Sequence, residues 1–200
     1  MTDIPNRKDS IIVGITGASG SILASKTINA LLDKKIPTIV VASGPARVVW
    51  QQEMLESFGE AIEKWAQFDH FNHYALGEIS APIASGTVPV KGMAIIPSSM
   101  ATVSGVANGL SDNLIRRAAD VCLKEKRPLV MVPRESPLNE IHLANLTKLA
   151  RYGVTIIPSD PPFYLPLLSV EDAAGFTAQR VLLALGVIDM LPREMQYKRP

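Results

Sequence analysis

The chain has 200 residues, of which 47% are hydrophobic and 20% are charged, and its formal net charge is +1. This size and balance predict a single domain over residues 1–200, and the near-neutral charge gives no electrostatic case for binding nucleic acid or an anionic membrane. No apolar run reaches the roughly 18 residues of a transmembrane helix, and residues 1–10 lack the apolar core of a signal peptide, so a cytoplasmic location is expected.

Apolar strand-like runs alternate with helical stretches along the chain. The predicted strands are Ile11–Ile15, Ile36–Ala42, Gly92–Pro97, Leu129–Pro133 and Val154–Pro158. The predicted helices are Ser21–Asp33, Pro45–Phe58, Asp112–Lys126, Leu138–Tyr152 and Val170–Leu185, and residues 59–91 predict an irregular connection. Continuous apolar strands separated by helices indicate a parallel sheet covered on both faces. We therefore expect a three-layer, doubly wound α/β fold of the flavodoxin-like, Rossmann-related kind.

The first predicted strand ends in a turn of small residues, Gly-Ile-Thr-Gly-Ala-Ser-Gly over 14–20, and a helix follows it. The unpaired N–H groups and positive dipole of a helix N-terminus attract anions, and glycine lets a phosphate approach the backbone. We therefore predict a phosphate site at Gly17–Ser21. The spacing is not the dinucleotide pattern G-x-G-x-x-G, and an ordinary tight βα turn would look the same.

Ligands of such sheets lie beyond the carboxyl ends of the strands, which gathers several polar loops at one edge. Ser43 follows the second predicted strand, Ser99–Thr102 follows the third, and Arg134 and Glu135 follow the fourth. The two hydroxyl residues of Ser99–Thr102 stand where a helix N-cap would fall, so capping alone explains them as well as ligand binding does. Adjacent opposite charges directly after a buried strand are unusual unless a ligand or an interface uses them.

Short motifs run along nearly the whole chain. They include Thr-Gly-Ala-Ser-Gly at 16–20, Ala-Ser-Gly at 84–86, Pro-Ser-Ser-Met-Ala-Thr at 97–102, Asp-Asn-Leu-Ile-Arg-Arg-Ala-Ala-Asp at 112–120, Val-Pro-Arg-Glu-Ser-Pro at 132–137 and Ser-Val-Glu-Asp at 169–172. In this order they resemble the UbiX-like flavin prenyltransferase family, a branch of the flavin-containing decarboxylase-like superfamily. The resemblance implies a metal-independent enzyme that joins a dimethylallyl group from dimethylallyl phosphate to N5 and C6 of reduced FMN. It also implies that the product, prenylated FMN, serves a UbiD-type decarboxylase, and that the enzyme is a homo-oligomer, expected to be a dodecamer.

The resemblance also assigns roles to individual residues. Cofactor binding would involve Gly17, Ala18, Ser19, Ser43, Ser99, Met100, Ala101, Thr102 and Arg134. Donor binding would involve Ser85, Arg117, Lys124, Tyr164 and Arg180, and catalysis would involve Ser19, Glu53, Lys124 and Glu135. A leaving phosphate needs positive charge as its C–O bond breaks, and the lysine and arginines can supply it. Ring closure at C6 needs a proton acceptor, for which Glu53, Glu135 and the released phosphate are alternatives.

Several of these residues look ordinary without the resemblance. Glu53 would form a solvated helix face with Glu56 and Glu60, Arg180 would be an ordinary helix arginine, and Tyr164 a packed loop aromatic. The stiff apolar loop 161–166 and the mixed tail 190–197 suit an interface between subunits, although both could fold back on their own subunit.

The chain departs from the family pattern at two tryptophan positions, where it has Ile79 and Glu194. Their loss implies a different prenyl length, slower chemistry, or replacement by an aromatic side chain such as Tyr74 or Tyr197. It also keeps open a flavin-binding or flavin-delivery protein without transferase activity.

A flavin-dependent cysteine decarboxylase is the other rival, but the surroundings of His73 do not match its catalytic histidine motif. His70 and His142 are expected to cap or pack. The single cysteine, Cys122, excludes an internal disulfide and is expected to be a small core residue.

Overall fold

The computed structural model describes residues 7–197. Its strands are β1 (Ile11–Ile15), β2 (Thr38–Ala42), β3 (Phe71–Tyr74), β4 (Gly92–Ser98), β5 (Leu129–Pro133) and β6 (Thr155–Ile156). Its helices are α1 (Ser21–Asp33), α2 (Gly44–Glu53), α3 (Phe58–Trp65), α4 (Met100–Ala107), α5 (Leu114–Lys124), α6 (Glu140–Arg151) and α7 (Val170–Ala184). Within the described range, no helix has the length and apolar character needed to cross a bilayer.

The six strands form one parallel sheet in the order β3-β2-β1-β4-β5-β6. This is the strand order of the doubly wound Rossmann fold, and it confirms the predicted fold class. The order reverses between β1 and β4, which lie side by side at the centre of the sheet. Ligands of such folds bind in the crevice beyond the carboxyl ends of the strands at this switch point.

Two separate hydrophobic cores cover the two faces of the sheet. One core joins the sheet to α1, α2, α3 and α7, and the other joins it to α4, α5 and α6. In the first, Trp50 packs edge-on against Phe58 and Trp65, with ring centroids 5.4 and 5.8 Å away. In the second lies Cys122, where burial raises the pKa of the thiol to about 12, so this cysteine is an inert core residue, as predicted.

The predicted helix Pro45–Phe58 is wrong, because the chain breaks there into two helices. Helix α2 ends at Glu53, and Met54 is extended. Helix α3 then begins with a capping box, in which Ser57 accepts from the Glu60 N–H and Glu60 accepts from the Ser57 N–H. Glu53, Glu56 and Glu60 therefore do not share one helix face.

The other differences between the predicted and observed elements lie in short segments and in segments whose residues are nearly all apolar. Residues 59–91, predicted to be irregular, contain most of α3 and the half-buried edge strand β3. Helix α4 was not predicted as an element, because it is buried on most sides and lacks a helical period. The predicted strands beginning at Ile36 and Val154 are shorter in the structure. In contrast, β1, α1 and β5 have the predicted bounds.

Candidate functional site

Thr16 joins the two loops that meet at the switch point. Its hydroxyl donates to the Pro97 carbonyl (3.0 Å) and accepts from the Ser99 N–H (2.7 Å). Thr16 is 2% exposed, so these bonds are shielded from water. The loop after β1 and the start of α4 are therefore held in a fixed relation. The motif at 16–20 contains Thr16 but predicts no role for it, although a hydroxyl residue directly after a buried strand was a signal in the sequence.

The first turn of α4 presents backbone N–H groups toward the switch point. Ser99 is the N-cap, and its hydroxyl accepts from the Thr102 N–H (3.3 Å) and lies 3.1 Å from the Thr102 hydroxyl. The N–H groups of Met100 and Ala101, in the same first turn, have no carbonyl partner within the helix. This N-terminus can bind an anion.

The N-terminus of α1 is already filled by a side chain of the protein itself. The Glu53 carboxylate accepts from the Gly20 N–H (2.9 Å to Oε2 and 3.2 Å to Oε1) and from the Ser21 N–H (2.8 Å). The glycine-rich sequence of this turn predicts a phosphate there. In the structure the anion on α1 is Glu53, and a second anion there would be repelled by it.

The environment of Glu53 keeps its carboxyl ionised. Burial raises the pKa of this group, but hydrogen bonds from the Ser19 hydroxyl and the N–H groups of Ser21 and Gly20 outweigh burial and hold the pKa below its ordinary value. Ser19 and Glu53 also line a cavity of about 800 Å³ that is bounded by Leu55 and Val170. This volume is ample for a small organic ligand.

Gly17 lies where two backbones approach closely. A Cβ at this position would stand 2.4 Å from the Cβ of Pro45, in the first turn of α2. Ser43 caps that helix by accepting from the Ala46 N–H (3.2 Å). Any side chain at Gly17 would thus displace α2, whether or not a ligand is bound, so a substitution there is a poor probe of ligand binding.

Arg134 and Glu135 are exposed at the carboxyl end of β5 and line a second cavity of about 400 Å³. Arg134 has no ion pair with another described residue. Arg180, on α7, lines a neighbouring cavity of about 230 Å³. The two cavities share Ile156, Pro158 and Asp160 as lining residues, so Arg134 and Arg180 line adjacent cavities around the end of β6.

The loop between β6 and α7 leaves apolar side chains in solvent. Phe163 is 94% exposed and Tyr164 is 54% exposed. The Tyr164 ring packs edge-on against Tyr197, with centroids 5.6 Å apart. Tyr74 and Tyr197 were the two candidates to replace the missing tryptophans. Tyr197 lies against Tyr164, a predicted donor residue. Tyr74 lies in β3, and its hydroxyl accepts from the Asn72 side chain. Ile79 and Glu194 are exposed.

Three of the predicted donor residues form a separate group along α5. Arg117 donates to the Ala84 carbonyl (3.0 Å) and to Asp120 (2.8 Å). Lys124 pairs with Glu125 and lies against Gly86, where a Cβ would stand 2.3 Å from the lysine Nζ. Ser85 precedes Gly86 in the chain, and its hydroxyl lies 2.9 Å from the Thr87 hydroxyl.

Lys124 and Glu135 lie toward opposite edges of the sheet. Lys124 ends α5 at the amino edge, just before β5 begins, whereas Glu135 follows β5 at the carboxyl edge. A five-residue strand separates these edges by roughly 15 Å. Lys124 and Glu135, which the resemblance assigns to catalysis, therefore do not lie together within one chain.

The histidines are held by structural contacts. His142 completes the capping box of α6 with Asn139, and His70 lies 3.2 Å from the Leu32 carbonyl. His73 packs against the Phe58 ring, and its Nε2 is buried without a partner among the described residues. Burial, together with the charge of Arg47, lowers the pKa of His73, so its ring is neutral at pH 7.

Comparison with known proteins identifies close relatives. A family model described as Flavoprotein matches residues 2–181. The flavin prenyltransferase UbiX of Chlamydia pneumoniae is 41% identical over 184 residues, covering 92% of this chain and 95% of that protein.

Two solved structures share the fold at similar identity. AnUbiX (PadA1), in complex with FMN and dimethylallyl pyrophosphate, superposes with a TM-score of 0.87 and 33% identity, over 97% of this chain and 99% of that one. A dodecameric FMN-dependent UbiX-like decarboxylase from Escherichia coli O157:H7 gives a TM-score of 0.81 and 38% identity, over 88% and 94% of the two chains.

Proposed function

Because this chain belongs to the Flavoprotein family, and within it to the UbiX-type flavin prenyltransferases, we propose that it joins a dimethylallyl group from dimethylallyl phosphate to N5 and C6 of reduced FMN. The observation that carries this proposal is the pair of helix N-termini at the switch point. That of α4 is open to an anion, and that of α1 is filled by Glu53. A ligand with a phosphate at one end and a reacting ring at the other suits this arrangement.

The residues at the switch point fit FMN. The first turn of α4, Ser99–Thr102, offers N–H and hydroxyl groups to the phosphate, and the exposed Arg134 adds a cation on the neighbouring strand end. Ala18 and Ser19 belong to the loop between β1 and α1, and Ser19 lines the cavity beside Glu53. FMN, when bound, supplies the nucleophilic ring atoms of the reaction, and the protein holds the ring and excludes water.

The donor requires positive charge around its phosphate. Negative charge grows on that group as the C–O bond to the dimethylallyl carbon breaks, and guanidinium or ammonium groups stabilise it. Arg180 provides one such group beside β6, and Arg117 and Lys124 provide others along α5. Tyr164 donates a hydrogen bond to the same phosphate, and all of these groups act without a metal.

The proton released on ring closure has a better acceptor than Glu53. A carboxylate whose pKa is held below its ordinary value is a weak base, and both of its oxygens already accept hydrogen bonds. The released phosphate, with a second pKa of about 6, binds a proton far more readily near neutral pH. Glu53 contributes its fixed negative charge, which stabilises cationic character on the dimethylallyl group.

Mass spectrometry of the flavin tests the proposed function. The protein is incubated anaerobically with reduced FMN and dimethylallyl phosphate, and the flavin is then analysed for the added dimethylallyl mass. A parallel reaction with dimethylallyl diphosphate decides which donor is used. Unmodified flavin in both reactions, recovered from protein that binds FMN, would identify a flavin-binding or delivery protein instead.

Arg134→Met should weaken FMN binding roughly 10- to 100-fold, because a charge-assisted hydrogen bond to the phosphate is lost. Binding of riboflavin, which has the same ring but no phosphate, should be unchanged. Titration of flavin fluorescence measures both affinities. Methionine keeps a long side chain at this exposed position, so the fold is preserved.

Arg151→Met is the matched control, since Arg151 is an exposed arginine at the end of α6 and lies outside the proposed site. It should leave both affinities at the wild-type value. Equal losses of FMN and riboflavin affinity in Arg134→Met would mean that Arg134 does not contact the phosphate.

Lys124→Ala, Arg180→Ala and Tyr164→Phe should each lower prenyl transfer roughly 10- to 100-fold at low donor concentration, while FMN still binds. Each change removes one contact to the leaving phosphate. Initial rates at several donor concentrations, with FMN affinity measured in parallel, test this expectation. Wild-type rates in all three variants would show that the donor binds elsewhere.

The product leaves this enzyme for a partner. We infer that prenylated FMN passes to a UbiD-type decarboxylase and that the active form is a homo-oligomer, for which the dodecamer is the expected size. The solvent-exposed Phe163 and the separation of Lys124 from Glu135 support assembly.

A further inference from the structure

Arg116, in the first turn of α5, reaches the first turn of α4. Its Nη2 donates to the Ala101 carbonyl (3.0 Å), and its Nη1 donates to both carboxylate oxygens of Asp112 (3.0 and 2.9 Å). Thr16 holds the same turn through the Ser99 N–H. The proposed phosphate-binding turn is therefore fixed at two points by side chains outside its own helix.

Two features that lower the stability of the folded chain accompany the Arg116 contact. Residue 105, within α4, is glycine, which lowers helix stability relative to alanine. A Cβ there would lie 2.5 Å from the Nε of Arg116 and 2.7 Å from its Cζ, so only glycine leaves room for the guanidinium. The Arg116 Nε is also buried without a hydrogen-bond partner, which costs further free energy. Both features, the glycine at 105 and the buried Nε, arise because a planar guanidinium lies against α4.

We propose that Arg116 is a positioning residue of the FMN site, which orients the first turn of α4 through the Ala101 carbonyl so that its N–H groups face the phosphate. This inference rests on the proposed function. Asp112 neutralises much of the Arg116 charge through two hydrogen bonds, so Arg116 acts through geometry and not as a second cation on the phosphate.

Arg116→Lys tests this role, because an ammonium keeps the charge but cannot span Asp112 and Ala101 with a planar fork. The Kd for FMN should rise roughly tenfold, as expected for loss of one charge-assisted hydrogen bond. Gly105→Ala should raise the Kd as well, since the new methyl group displaces the guanidinium. The double variant should bind FMN no more weakly than the weaker single variant, because both changes break the same contact.

Lys148→Met is the matched control. Lys148 ties the other end of α4 by donating to the Asn108 side chain (3.0 Å). This variant should leave the Kd for FMN unchanged. Riboflavin affinity should stay constant in every variant, whereas a general loosening of the fold would lower it.

The outcomes separate this inference from the proposed function. An unchanged Kd for FMN in Arg116→Lys and Gly105→Ala would overturn it, and so would an equal loss in Lys148→Met. If Arg116→Lys does not fold, Gly105→Ala and its riboflavin comparison decide the matter. Failure of the unaltered protein to bind FMN would refute the proposed function, and this inference with it.

Discussion

Glu53→Gln should lower the rate of prenyl transfer roughly 10²- to 10³-fold while FMN still binds. Glutamine has nearly the same shape but no charge, and its amide nitrogen cannot accept from the Gly20 or Ser21 N–H groups. The variant therefore removes the fixed negative charge beside the reacting ring. Anaerobic single-turnover measurements at saturating FMN and donor isolate this chemical step from binding.

Glu60→Gln is a close control for that experiment. Glu60 is also a carboxylate that accepts from a backbone N–H group at a helix start, and hydrogen bonds from Ser57 likewise lower its pKa. It belongs to the capping box of α3 and has no proposed part in the reaction, so turnover should be unchanged. Comparable losses in both variants would assign the effect to capping, and near-wild-type turnover in Glu53→Gln would remove Glu53 from catalysis.

Mixed oligomers should recover activity that each parent variant has lost. At low donor concentration we expect Lys124→Ala and Arg180→Ala each to be roughly 10- to 100-fold slower alone, because each change alters every donor site. If Lys124 and Arg180 reach one site from different subunits, co-expression should restore about a quarter of the sites, since half of the subunits supply each intact side chain. Purification through two different tags, followed by rate measurements, quantifies the recovery.

Lys124→Ala combined with Arg117→Ala is the control mixture. Both side chains lie on α5 of the same subunit, so no mixture of these variants contains an intact pair from one chain. No recovery is expected there. Light scattering at decreasing protein concentration adds an independent check, and a fully active monomer would contradict a donor site shared between subunits.

The sequence predicted most of the fold because its buried strands are continuous apolar runs. Strands β1 and β5 and helix α1 have the predicted bounds, and Gly153 follows α6 with a positive φ of 86°, as a helix-ending glycine should. The break between α2 and α3 was missed although Ser57 and Glu60 have capping-box spacing. The edge strand β3 was missed because its residues are only half-buried, which leaves a weak apolar pattern.

The candidate site was predictable in composition but not in arrangement. The glycine-rich turn after β1 favoured a phosphate on α1, yet this position depends on where α2 ends. Because α2 stops at Glu53, that carboxylate reaches the N–H groups of Gly20 and Ser21, a contact across more than thirty residues that no local pattern encodes. The placement of Lys124 at the opposite sheet edge from Arg134 likewise follows from topology and not from motifs.

The N-termini of α1 and α4 differ in charge, so the electrostatic potential changes from one end of the crevice to the other. Among the described residues no acidic side chain lies in the first turn of α4, whereas the carboxylate of Glu53 outweighs the positive end of the dipole at the start of α1. We therefore expect an elongated ligand that is anionic at one end to lie with that end on α4. Reversing the ligand would set two anions against each other, so orientation is decided by electrostatics before any contact with the ring is made.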